Sequence, residues 1–123
     1  MGFYKEDFHQ RLYRYALRIV RFTERLPRDN VGRIIGAQLL RSGTSITSNI
    51  IEAKSASSKR DYINFYTHAL KSANESIFWL SLLRDAGKVE QKEAAELLNE
   101  TGEVAKILGA SVVTMKKSIP RKI

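Results

Sequence analysis

The chain has 123 residues, 43% of them apolar, which is enough for one core without metals or staples, and a one-domain length. It has no cysteine, so disulfides, thiolate zinc sites and cysteine nucleophiles are excluded, and the composition fits a reducing cytoplasm. With 21 Lys and Arg against 13 Asp and Glu, the net charge of +8 favours polyanionic partners.

Sparse punctuation, with only Pro27 and Pro120 and seven scattered glycines, predicts long helices. The first runs from about Lys5 to Arg25, with Phe8, Leu12, Tyr15, Ile19, Phe22 and Leu26 at four- and three-residue spacing, and Pro27 closes it. Asp29 or Asn30 caps a second, from Val31 to about Lys54, in which Gly36 and Gly43 are weak points. A serine-rich break, Ser55-Ala56-Ser57-Ser58, precedes the third, with Ser58 as cap, Asp61 at the capping-box distance, and Gly87 as the left-handed residue beyond Ala86. The fourth begins near Val89, carrying Glu90, Glu93 and Glu96 at its positive end and Lys116 and Lys117 at its negative end; Pro120 marks its limit. Four matched helices with short loops predict an all-α, antiparallel up-down-up-down four-helix bundle in one domain, residues 1–123. No signal peptide or membrane span is expected from the N-terminal sequence or from apolar runs this short.

The charge is placed rather than diluted: residues 1–41 hold nine bases and four acids. Arg11, Arg14, Arg18, Arg21 and Arg25 fall on one side of the first helix at about 100° per residue, and Arg28 follows. Only Glu24 interrupts them, whereas a helix built for surface ion pairs would mix in carboxylates. Arginine presents a planar fork that matches phosphate oxygens and stays charged in any surroundings. The column is therefore a candidate track for the backbone phosphates of RNA or DNA, with salt bridges between bundles as the competing use. A third group on the same helix, Tyr13, Leu17 and Val20, widens its apolar arc beyond what one core needs. It is either covered by a neighbouring helix or forms a subunit interface.

Polar residues recur inside the next two helices: Arg41, Ser45, Asn49 and Glu52 on one, His68, Ser72 and Glu75 on the other. The expectation is a hydrogen-bonded seam in which Asn49, Glu52, His68 and Glu75 satisfy one another. The rivals are a mononuclear metal site or an acid–base pair made of Glu52, Glu75 and His68; di-iron bundles need a Glu-x-x-His pair on each of two helices, and the chain has only Glu6-Asp7-Phe8-His9. Phosphate-cradling glycine loops, nucleophile elbows and His-Glu-x-x-His are absent, so no catalytic residue and no cofactor is expected.

The stretch "LLRSGTSITSNIIEAKSASSKRDYINFYTHALKSANESIFWLSLLRDAG", residues 39–87, resembles the four helix bundle proteins, or 23S rRNA intervening-sequence proteins. The likeness rests on Arg41, on Ser45, Ile46, Asn49, Ile50 and Glu52 as Ser-Ile-x-x-Asn-Ile-x-Glu, and on Tyr62, Phe65, Ala69, Ser72 and Glu75. Ala53 stands where the family often has glycine. The resemblance implies an up-down bundle that assembles into homopentamers. It also implies similarity in fold to the accessory variability proteins of diversity-generating retroelements, which bind nucleic acid and a reverse transcriptase. A non-enzymatic scaffold in a ribonucleoprotein follows as the expected role, and an adaptor for an acidic protein partner such as a reverse transcriptase as the alternative.

Overall fold

The computed structural model describes residues 2–119, with side chains described from Asp7 onward. Helix α1 spans Gly2–Glu24, α2 Asn30–Glu52, α3 Lys59–Asp85 and α4 Gln91–Lys117, with a short 3-10 turn at Ala53–Ser55. The second helix thus stops two residues before its expected end, because its last turn tightens into i→i+3 bonding. Pro120, expected to limit the fourth helix, lies outside the described residues.

Local chemistry sets the boundaries. The Ser58 hydroxyl accepts the backbone N–H of Asp61 at 3.0 Å, and the Asp61 carboxylate accepts the N–H of Ser57 in return. Gly87 has φ 68°, and the N–H groups of Gly87 and Lys88 reach back to the carbonyls of Arg84 and Leu83, a Schellman ending that needs a left-handed residue there. Asp29 caps α2 by accepting the Gly32 N–H at 2.8 Å, and its other oxygen takes the Lys88 ammonium at 3.1 Å, which ties the α1–α2 and α3–α4 connections together.

That N–H bond first, and Lys88 second, hold the Asp29 carboxyl below the usual carboxylate range. A folded-state value below the unfolded one stabilises the fold above the unfolded value and loses that stabilisation as pH falls through the folded one. Between pH 5 and about 3, the melting temperature of the native chain should therefore drop further than that of Asp29→Asn, which keeps a capping side chain that does not titrate in this range. Parallel curves in a pH series of thermal melts would remove this role.

The helices alternate in direction around one core. Leu12, Tyr15 and Ile19 of α1, Leu39, Ile46 and Ile50 of α2, Leu80 and Leu83 of α3, and Leu97, Val104 and Leu108 of α4 are fully buried. Each such side chain stabilises the fold by roughly 1.5–3 kcal/mol. Two seams are closed by small or hydroxyl residues. Gly43 of α2 lies against Ile19, and the Thr47 hydroxyl donates to the Leu12 carbonyl at 2.7 Å. Between α2 and α3, the Ser42 and Ser76 hydroxyls meet at 2.8 Å, and α3 packs as closely on α4. The fourth seam, α1 against α4, lacks this close backbone approach and is bridged by long side chains instead. Among the described residues no helix is long and apolar enough to cross a membrane.

Candidate nucleic-acid interface

Because α1 turns Leu12, Tyr15, Ile19 and Phe22 inward, the arginines one position away on the wheel rotate toward α4. They line a groove of about 550 Å³ in the open seam: Arg11, Arg14, Leu17, Arg18 and Arg21 from α1, Glu100 from α4, with Tyr15 beneath. At the floor, the Tyr15 and Thr101 hydroxyls lie 2.6 Å apart. Thr101 gives its proton to the Leu97 carbonyl at 2.7 Å, so Tyr15 is the donor to Thr101. Burial pushes the Tyr15 phenol up to about 12, and it stays protonated.

The ends of the arginine column are occupied from within the same chain. Arg11 grips Glu100 with two parallel bonds, Nε to Oε2 at 2.8 Å and Nη2 to Oε1 at 2.9 Å, and reaches Glu103 at 2.9 Å. The Glu100 hydrogen bond, against a smaller opposing effect of burial, raises the Arg11 pKa further above its ordinary value. Arg25 is paired with Glu93. Between these posts Arg14, Arg18 and Arg21 are exposed and make no ion pair among the described residues. Arg28 stands apart from the column: it follows Pro27 in the α1–α2 connection and lines a different groove, between α1 and α2.

Of the acids that hold the posts, Glu93 was expected only as a helix-start residue, and Glu100 and Glu103 were not singled out from sequence. Glu93, Glu96, Glu100 and Glu103 are spaced by three and four, so they share one side of α4. That spacing is the signal available in the sequence; which arginine each would meet depends on helix rotation. At the start of α4, Glu90 accepts the Glu93 N–H, in keeping with the expected preference for acids there.

The α2–α3 seam is made of hydroxyls and one amide. Ser45 accepts from Ser72 at 3.1 Å, and Asn49 Nδ2 donates to the Ser45 carbonyl and hydroxyl at 2.8 and 3.0 Å. Ser42 and Ser76, which the spacing analysis passed over, make its most buried contact. The charged members do not join: Arg41, Glu52, His68 and Glu75 are exposed, and Glu75 accepts instead from Trp79 Nε1 at 2.9 Å. Charged ends reach water at lower cost than they could be paired in a tight seam. Among the described residues no group of three or more His, Asp or Glu is placed to hold a metal ion.

Of the apolar surplus on α1, Tyr13 is 63% exposed, Leu17 37%, and Val20 half-buried, so the neighbouring helices of the chain leave most of Tyr13 uncovered. Leu40 and Ile51 of α2 are exposed as well. The Thr47-to-Leu12 and Gly43-to-Ile19 contacts put that part of α2 alongside the same stretch of α1.

No curated protein sequence matches the chain. Among solved structures it is similar to a protein of unknown function from the S23 ribosomal protein family of Bacteroides thetaiotaomicron VPI-5482. That similarity has 35% identity and a TM-score of 0.79, over 85% of this chain and 96% of the other. The model of the 23S rRNA-intervening sequence proteins matches residues 5–110, spanning all of α2 and α3 and most of α1 and α4. A match over most of the length, on the four-helix architecture described above, places the chain in the 23S rRNA-intervening sequence protein family.

Proposed function

We propose that the protein is a non-enzymatic, homo-oligomeric helical scaffold that binds the sugar–phosphate backbone of nucleic acid, structured RNA above all, through the arginine column of α1. The observation that carries this is the run Arg14, Arg18 and Arg21, exposed and unpaired among the described residues, between two arginines that already hold carboxylate oxygens. A guanidinium that accepts a two-point carboxylate grip is shaped for phosphate too. Arg14, Arg18 and Arg21 are the principal contacts; Arg28 extends the basic surface from the adjoining connection, and Arg11 and Arg25 serve first as struts to α4.

The exposed strip of Tyr13, Leu17 and Val20, extended by Leu40 and Ile51, supports self-association, for which the resemblance implies five subunits. Salt-titrated binding to a structured RNA tests the main assignment. Affinity should fall with salt, and Arg14→Glu with Arg18→Glu should make the slope of log affinity against log salt about 1.4 units shallower, at about 0.7 per single-strand contact. An unchanged slope in the double variant would refute phosphate contact by the column. The second role, an adaptor for an acidic protein such as a reverse transcriptase, is favoured by the carboxylates that Arg11 and Arg25 hold. Pull-down after nuclease treatment separates the two, because a protein partner survives it.

A further inference from the structure

The groove between α1 and α4 has a defined length. At one end Arg11 spends three hydrogen bonds on Glu100 and Glu103; at the other Arg25 is held by Glu93. What remains for a ligand is Arg14 to Arg21, about 10.5 Å along the axis at 1.5 Å per residue. One stacked strand advances about 3.4 Å per phosphate, so this window spans about three phosphate steps rather than a long backbone.

The opposite wall restricts the ligand further. Along its α1-facing side α4 carries Glu93, Glu96, Glu100 and Glu103, and these are exposed or half-buried. A duplex laid along the arginines would extend over α4 and bring its second strand toward those carboxylates, where like charges repel. A single strand meets only the arginine side, with Leu17 beside it and the neutral Tyr15–Thr101 pair below.

Resting on the phosphate assignment above, we infer that the groove seats a short run of single-stranded nucleic acid, about three to four consecutive phosphates, and that Glu100 and Glu103 set its limit by holding Arg11 out of contact. A structured RNA would then be engaged at a loop, bulge or end. The two carboxylates occupy the place of a further phosphate, and removing their charge hands Arg11 to the ligand.

The test uses fluorescent oligouridylates of graded length, and a duplex of matched length, on the full chain. Affinity should rise to about four nucleotides and then level off per site, with a salt slope near −2 at about 0.7 per contact, and the duplex should bind more weakly. Glu100→Gln with Glu103→Gln should tighten binding of a hexanucleotide about threefold to fivefold and steepen the slope by about 0.7. Arg11→Gln should abolish that gain when combined with the glutamines.

Preference for the duplex, or glutamine variants with native affinity and slope while their helicity by circular dichroism is intact, would overturn the inference. Should the glutamine pair lose helicity, Glu103→Gln alone, which keeps the two-point Glu100 grip, takes its place, and native affinity and slope in it would overturn the inference. If Arg14→Glu with Arg18→Glu leaves oligonucleotide binding untouched, the phosphate assignment itself fails; if that pair abolishes binding and the glutamines change nothing, only the limit set by Glu100 and Glu103 fails.

Discussion

Gly32→Ala should destabilise the protein by about 3 kcal/mol, although alanine is the better helix former by about 1 kcal/mol. Gly32 sits in the first turn of α2, where an added Cβ would lie 1.9 Å from the carbonyl oxygen of Pro27 and 2.9 Å from its carbon. Those are backbone atoms, so no side-chain rotation relieves the clash. The α1–α2 connection must move, and with it Asp29, whose carboxylate holds both the Gly32 N–H and the Lys88 ammonium. The steric term is several times the propensity term and decides the sign. Thermal unfolding should show a fall of roughly 10 °C for a chain of this size. A melting temperature equal to or above that of the native chain would mean the connection adjusts freely.

The second large effect is a reversal of sign at the α1–α2 crossing. Ile19 is fully buried, and a Cβ on Gly43 would come within 2.8 Å of its Cγ2 and 3.0 Å of its Cγ1. These atoms lie next to the stem of a β-branched side chain, which has few other rotamers to adopt. Gly43→Ala should therefore cost about 1–2 kcal/mol in the native background, overpacking outweighing the helical gain. Ile19→Ala should cost about 3–4 kcal/mol by leaving a cavity. In that variant the same Gly43→Ala change meets space instead of methyls, so it should stabilise, giving a favourable coupling of about 1–3 kcal/mol. Denaturant unfolding of the four species closes the cycle. Additive effects would show that the two helices do not bear on one another there.

Features governed by a few neighbouring residues were legible in the sequence. The inward stripe of α1, the Ser58 and Asp29 caps and the left-handed Gly87 need only helix geometry and local hydrogen bonding, and each is found as expected. Gly36 and Gly43, expected as weak points of α2, are instead close-contact points: Gly43 lies against Ile19 of α1, and a Cβ at Gly36 would meet Leu26 of the α1–α2 connection at 2.9 Å. Their poor propensity is offset by packing that a window along one helix does not reveal. The candidate site was legible by half. The arginines share a side as the wheel requires, but the partners of Arg11 lie about ninety residues further on, and their arrival depends on how α4 rotates about its own axis. In the α2–α3 seam, three- and four-residue spacing marks a stripe wide enough to hold both Ser45, bonded across it, and Glu52, turned to water.

Among the described residues the α1–α4 joint has little close backbone approach and is spanned by long side chains, with charged arms at both ends. Residues 14, 18 and 21 consequently stand on scaffolding that does not depend on them. The sign and bulk of that edge can therefore change while the interior keeps its shape.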